Sequence, residues 1–344
     1  MANGLPVRDF SRTATQVHPD GAGTVCGAAL YVSAAAGSVM AGGPPGAPSP
    51  VPDIPDVYAV VYVHAPVVPR PPEPPGWRLG EWRESWTPDQ HAAAVVAVRE
   101  SIARGDVYQV NVVGHASAAY AGEPGPALAR VAALPGARYG GVLAGDGWAL
   151  ATASPETLVE VRGGRVVTRP IKGTRAATDT GRRELLASAK ERAEHVMIVD
   201  LERNDLARLP GVGPVRVDEL FAVRRWCDLW QAESVVSAEI TGPLGLPDLL
   251  RALCPGGSVT GAPKRAALAE IARLEPVGRG VSMGALGWVG TDHVDLGLSI
   301  RTVAVAGGRA HVWAGGGITW GSDPAAEVDE AAAKSAPVRA ALAG

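Results

Sequence analysis

Residues 170–175 read Pro170-Ile171-Lys172-Gly173-Thr174-Arg175 and set a lysine inside an otherwise apolar, glycine-limited turn just after a strand. A lysine so placed is either an exposed solubiliser or a reactive amine. The preceding segment reads as a hairpin: Leu158 to Arg162 and Arg165 to Arg169 are β-rich runs separated by Gly163-Gly164, a two-residue turn signal. The ribbon brings Ser154-Pro155-Glu156 near Pro170 to Arg175. A strict two-residue turn puts Glu156 and Lys172 on opposite faces, so their convergence requires a break in pairing, which Pro170 and Gly173 can supply. The competing reading is a surface Lys–Glu pair, which contributes little.

Two further segments carry charge where a core is expected. In a long helix around Arg192 to Arg208, Glu194, Met197, Ile198 and Leu201 fall at helical spacing, so Glu194 lies on the stripe facing the core. A buried lone carboxylate must be neutralised, paired or bound to a cation, and a salt bridge to a nearby arginine is the usual answer. Near the carboxy terminus, Asp323-Pro324 starts a helix on which Glu327, Glu330 and Lys334 recur at i, i+3 and i+7. Such a stripe is most often solvated; here it follows a strand and Gly315-Gly316-Gly317, which permits close approach of backbone to a ligand. Three carboxylates from two helices, all oxygen donors, suit Mg²⁺.

Composition excludes several classes. The 344 residues can bury a large core as one big domain or two smaller ones. A net charge of -3 with both signs mixed offers no basic surface for nucleic acid. Cys26, Cys227 and Cys254 lie far apart with no CxxC pair, which predicts a reducing compartment and no structural zinc. Met1 to Phe10 holds no apolar core of signal-peptide length, and no run of 18 apolar residues occurs, so a soluble cytoplasmic protein without membrane contact is expected.

Along the chain, twelve prolines between Gly42 and Pro75 predict extended or loop structure around one strand, Val57 to Val63. Thr87-Pro88 signals a helix running to about Arg104 and stopping at Gly105. Asp106 to Val112 follows as an alternating strand, with Gln109 and Asn111 read as structural or outer-shell residues. Gly140 to Leu143 and Trp148 to Ala153 form a strand pair leading into Glu156.

Six ordered segments, SPETLVEV, RPIKGTR, ERAEHVMIVDLERNDLARL, PGGSVTGAPKRAALAEI, GALGWVG…LSIRT and AGGGITWGSDPAAEVDE, resemble the motif series of the chorismate-utilising enzymes, which make anthranilate, aminodeoxychorismate, isochorismate and salicylate. The likeness runs from about Thr87 to about Lys334. It implies an α+β fold with two large antiparallel β-sheets packed face to face and helices outside. It also implies a shortened, Pro-rich region 1–87 packing on a chorismate-binding catalytic domain 88–337. No counterpart is expected of the tryptophan feedback site that many anthranilate synthases carry in their longer amino-terminal region.

The resemblance assigns roles residue by residue. Glu156 matches the general acid that protonates the departing ring hydroxyl. Glu194 and Glu330, with Glu327 alongside, match the carboxylates that hold Mg²⁺. Arg301 matches the arginine that binds a substrate carboxylate, a task suited to its bidentate fork. Lys334 matches a lysine near the metal; Thr174, Thr260 and the Gly315-Gly316-Gly317 run match substrate-contacting positions. At the position of Lys172, anthranilate and salicylate synthases usually carry alanine. A lysine resembles aminodeoxychorismate synthase component I, in which the amine adds to the ring as the hydroxyl leaves and ammonia then displaces it. Such a lysine must be deprotonated, so its pKa should be lowered. Ammonia would come from a separate glutamine amidotransferase subunit. The alternatives are a pyruvate-eliminating synthase of the anthranilate type and a non-catalytic chorismate-binding scaffold. Two positions depart from the family: Glu233 stands about where a histidine is usual, and Ser282 where many relatives have an aromatic residue.

Overall fold

The computed structural model describes residues 8–9, 23–64 and 76–344. The expectations for Met1–Phe10 and for the proline-rich stretch over 65–75 fall largely outside them. In chain order the first strands are β1 (Arg8–Asp9), β2 (Val25–Val32) and β3 (Val57–Val63), with helix α1 (Ala34–Met40) between the last two. Then come β4 (Arg78–Leu79), β5 (Arg83–Glu84), α2 (Pro88–Ala103), β6 (Gln109–Ala121), α3 (Gly125–Ala132), β7 (Tyr139–Gly145) and β8 (Trp148–Ser154). The predicted hairpin is β9 (Thr157–Arg162) and β10 (Arg165–Arg169), continued by β11 (Ile171–Ala176). Helices α4 (Asp179–Ala187) and α5 (Ala189–Ala207) precede the long pair β12 (Arg216–Trp226) and β13 (Leu229–Glu239). After α6 (Leu246–Leu253), a single 3-10 turn, Gly257–Val259, leads through β14 (Gly261–Ala262) into α7 (Lys264–Leu274). The chain ends with β15 (Ala285–Gly290), β16 (Val294–Leu298), β17 (Thr302–Ala306), β18 (Arg309–Ile318) and α8 (Pro324–Ala343).

These strands form two sheets. One runs β1-β7-β8-β17-β18-β6-β14, the other β11-β13-β10-β9-β16-β15-β2-β3 with β12 on the free edge of β13. The pairings are antiparallel except β1 against β7. The expected α+β architecture of two antiparallel sheets with helices is therefore present. Burial explains why the first sheet reads as nearly continuous apolar sequence. On β8, Trp148 and Leu150 enter the core shared with Leu158, Val159, Val236 and Leu296 of the second sheet. Ala149, Ala151 and Ala153, pointing the other way, meet α3 and α8 through Leu128, Val131, Val338 and Leu342. The same division holds on β17, with Ala304 and Ala306 between the sheets and Val303 and Val305 beneath the helices. A strand covered on both faces has no polar side to alternate with. This is also why β6 does not alternate as expected: Gln109 to Val113 are all buried.

Local signals act where predicted. Thr87 accepts from Gln90 N while the Gln90 side chain accepts from Thr87 N, a complete capping box at the start of α2. Leu150→Ala, at a fully buried position between the sheets, should cost about 2–5 kcal/mol. Thr87→Ala should cost about 1 kcal/mol. Urea unfolding checks both, as a lowered midpoint at unchanged slope.

Candidate functional site

The cleft lies where the hairpin's continuation, the first half of α5, the end of β18 and the start of α8 converge, and it encloses about 800 Å³ counting its open mouth. Its floor solves the register problem posed by Glu156 and Lys172. Strand β10 loses step with β9 between Val167 and Arg169. After Pro170 the chain leaves β9 and runs on along β13, with Ile171 opposite Glu233. A second shift falls between Lys172 and Thr174, at Gly173, whose φ of +78° is left-handed. These irregularities turn both side chains inward, and each is less than a tenth exposed.

Ser258, in the 3-10 turn, joins them. Its hydroxyl donates to Glu156 Oε1 at 2.5 Å, and its carbonyl accepts from Lys172 Nζ at 3.2 Å. Glu156 Oε1 also accepts the Ile171 N–H at 3.2 Å. Burial pushes the Glu156 carboxyl up to about 7, against the pull of Ser258, the Ile171 amide and the Lys172 ammonium, with Glu233 adding to the rise. Burial likewise lowers the Lys172 amine, the Lys334 charge reinforcing it and Glu194, Glu156 and Glu330 opposing it.

The three glycines of β18 have separate reasons. A Cβ on Gly315 would lie 1.9 Å from the Val112 carbonyl, so that position belongs to sheet packing. A Cβ on Gly316 would lie 2.8 Å from Glu327 Oε2, and one on Gly317 only 2.4 Å from Lys172 Nζ. Gly317 thus leaves the space the amine occupies.

The wall facing Lys172 is charged. Glu194 is buried and lines the cleft, but its ionic partner is a lysine rather than the expected arginine: Lys190 Nζ lies 3.8 Å from Glu194 Oε1 and 3.6 Å from Glu327 Oε1. Thr319 and Ser322 donate to Glu194 and Glu327 at 3.3 and 2.6 Å. Glu330 pairs with Lys334 at 2.5 Å, and Lys334 also donates to the Gly315 carbonyl. Burial raises Glu194. Burial is the strongest single influence on Glu330 too, yet the charge and hydrogen bond of Lys334, with Lys172 and Lys190 adding, together hold that carboxyl below the usual range. Glu194, Glu327 and Glu330 offer only oxygen donors, the set a hard divalent ion takes, and Lys190 already draws two of them toward one cation. Among the described residues, no three acidic, histidine or cysteine side chains are gathered closely enough to share an ion in this arrangement.

Glu156, Lys172, Thr174, Glu194, Arg301, Gly315, Gly316, Gly317, Glu327, Glu330 and Lys334 all line the cleft. Thr260 does not: it is fully buried and its hydroxyl donates to the Gly256 carbonyl at 2.8 Å, so Ser258 and Val259 present that loop instead. Arg301 is buried with its guanidinium over the Trp226 ring at 4.5 Å and donating to the Lys334 carbonyl. Asn111 lines the cleft as well as stabilising the sheet, whereas Gln109 does not reach it. Lys190, Ser258 and Gln231 also line it without having been singled out. Of these only Lys190 left a trace in the sequence, four residues before Glu194 on the same helix. Glu233 is buried opposite Ile171, 3.7 Å from Arg224, outside the cleft lining. Ser282 is fully buried and its hydroxyl finds no hydrogen-bond partner among the described residues.

Comparison with known proteins fits this geometry. The family model described as chorismate binding enzyme matches residues 53–340. Anthranilate synthase component 1 of Streptomyces coelicolor is 42% identical over 262 residues, 74% of this chain and 51% of that protein. Aminodeoxychorismate synthase component 1 of Bacillus subtilis is 35% identical over 270 residues, 76% of this chain and 57% of that protein. The chain thus spans about half the length of the curated relatives it matches. The crystal structure of anthranilate synthase component I from Streptococcus pneumoniae superposes with a TM-score of 0.75 at 27% identity, covering 96% of this chain and 83% of that one. The chain belongs to the family of chorismate-binding enzymes.

Proposed function

We propose that this protein aminates chorismate, as an aminodeoxychorismate synthase component I, using Lys172 as nucleophile and Glu156 as general acid. The observation that carries the reading is the pairing across Ser258 of a buried amine lowered by desolvation with a buried carboxyl held up to about 7. The neutral amine has a lone pair to add to the ring, and the protonated carboxyl supplies the proton with which the ring hydroxyl leaves as water. Ammonia then displaces the lysine, which departs as the free amine, and the enolpyruvyl group is retained. Arg301 and Lys334 supply positive charge for the substrate's carboxylates. Glu194, Glu327 and Glu330 would be the oxygen donors for Mg²⁺ once drawn closer together than they stand here and freed from Lys190; such an ion would neutralise the ring carboxylate and draw electron density toward it. The ammonia would be delivered by a glutamine amidotransferase subunit, in keeping with the "component 1" of the relatives' names.

The 42% identity to an anthranilate synthase component 1 favours a second reading, in which the same cleft eliminates pyruvate and the lysine is incidental. One incubation separates the two: protein, chorismate, Mg²⁺ and ammonium salt, with products followed by mass spectrometry beside Lys172→Ala. An aminated product that keeps the enolpyruvyl group, lost in the variant, supports the first reading; pyruvate release, or a fully active variant, supports the second.

Two further outcomes are expected. Because Glu156 must be protonated to act and its pKa is raised, turnover should fall as pH rises through about 7. Glu156→Gln, which keeps the shape but has no acidic proton, should lose about 10²–10⁴ in kcat at all pH values. Gly317→Ala meets the side-chain tip of Lys172 rather than backbone, so it should displace the amine without unfolding the protein. A loss of about 10²-fold in kcat at near-unchanged urea midpoint is expected from a shift of about 1 Å.

A further inference from the structure

His195 follows Glu194 on α5 but faces away from the cleft; it is completely buried and absent from the lining. Its Nε2 lies 3.0 Å from the Lys172 carbonyl oxygen, and its Nδ1 lies 2.9 Å from Ser234 Oγ. A carbonyl can only accept, so Nε2 carries the proton and Nδ1 accepts from the Ser234 hydroxyl. Ser234 Oγ in turn accepts the Phe221 N–H at 3.1 Å. The imidazole thus links the Lys172 carbonyl on one side to Ser234, and through it to the Phe221 amide, on the other.

Both ends of this chain are places where the regular ladder fails. Phe221 has a φ of +61°, a left-handed conformation rare for a bulky residue, and β12 loses step with β13 between Glu219 and Ala222. Its ring meets the imidazole edge-on at 4.7 Å. At the other end, the Lys172 carbonyl directly precedes the Gly173 bulge. A bulged strand leaves the orientation of its peptide groups under-determined by pairing. The imidazole supplies a donor at that point from a rigid helix, the same helix whose preceding residue, Glu194, faces the cleft.

We propose that His195 is a positioning residue for the reaction: it anchors the Lys172 backbone to α5, fixing where the amine stands against Ser258, Gly317 and the acidic wall. This rests on the reading of Lys172 as the nucleophile. The interaction is with the main chain, so it aims the lysine without touching substrate.

The test is a double-mutant cycle on the full chain in the ammonium-dependent assay. His195→Phe, which keeps a ring and loses the donor, should lower kcat about 10–100-fold, as expected for misplacement of a reacting group, with KM for chorismate changed less than about threefold on the logic that ground-state binding is untouched. His195→Gln, whose amide N–H can reach the Lys172 carbonyl, should recover a large part of the loss. In a Lys172→Ala background, His195→Phe should have no further effect on residual turnover, because the two changes act through one group. If His195→Phe fails to fold, Ser234→Ala serves in its place: it frees the imidazole from one tether, and its loss should likewise vanish in the Lys172→Ala background. Equal losses with and without Lys172, or a parallel rise in KM, would show a general structural role and overturn the proposal. A fully active Lys172→Ala overturns the nucleophile reading and this proposal with it, an outcome distinct from the other two.

Discussion

The rest of the cleft depends on one constraint, the burial of the Lys172 amine. An ammonium taken out of water costs several kcal/mol unless it is paired, and among the described residues Lys172 forms no ion pair; its hydrogen bond goes to the Ser258 carbonyl at 3.2 Å. The group answers the cost by giving up its proton more readily, as its lowered pKa records. Nearby features are shaped to that end. Gly317 withholds a side chain that would stand 2.4 Å from the nitrogen, and Ser258 spends its hydroxyl on Glu156 while offering only a carbonyl to the amine. Lys334 adds like charge from α8. The downward shift of the amine and the upward shift of Glu156 thus have the same physical origin, burial away from water, acting on groups of opposite charge type.

Helix α5 converts this local chemistry into a framework. Glu191 accepts from Arg175 of β11 at 3.2 Å; Glu194 faces the cleft; His195 holds the Lys172 carbonyl; Glu202 accepts the Gly257 N–H at 3.2 Å; Asp205 pairs with Lys264 of α7 at 2.6 Å. Burial pushes the Glu202 carboxyl up, with Asp205 adding to the rise and Lys264 and the Gly257 amide opposing it. A helix that buries this many polar groups gains little from apolar transfer on that face. Its stability rests on each group finding its partner, and removing a single partner leaves the other buried and unsatisfied at a cost of about 1–3 kcal/mol.

That distribution marks how far the sequence could be read. The hairpin over Leu158 to Arg169, the start of α2 at Thr87 and the glycine run of β18 were legible because each is encoded by neighbours in the chain: a Gly-Gly turn, a cap with proline behind it, missing side chains beside a charged helix start. The stripe on α5 was legible at Glu194 and Ile198, but the buried set also includes Glu191, Glu202 and Asp205, which share that face by helical spacing and which only their charge assigns to solvent. Their partners lie on β11, the Ser258 turn and α7, and no local pattern encodes such contacts. Thr260 shows the converse. Its loop does reach the cleft, but a one-turn 3-10 segment rotates Ser258 inward and folds the Thr260 hydroxyl back on Gly256. Residue type placed the loop; backbone torsion chose the residue.

Overall identity is a weak guide to which reaction such a cleft performs, since both readings share the sheets, the acidic wall and Arg301. They differ in whether a neutral amine can reach the ring, and that turns on a few atoms: the Lys172 nitrogen, the space at Gly317, the bulge at Gly173 and the imidazole behind it. Bulge and imidazole act on the backbone, whereas Gly317 acts on the side-chain tip. The lysine is therefore fixed at both ends of its flexible stem, and its rotamer entropy, up to about 2 kcal/mol for a buried lysine, is spent on folding rather than at the moment of reaction. A lysine introduced into the same strand without those supports would be buried at the same electrostatic cost and would lack the aim.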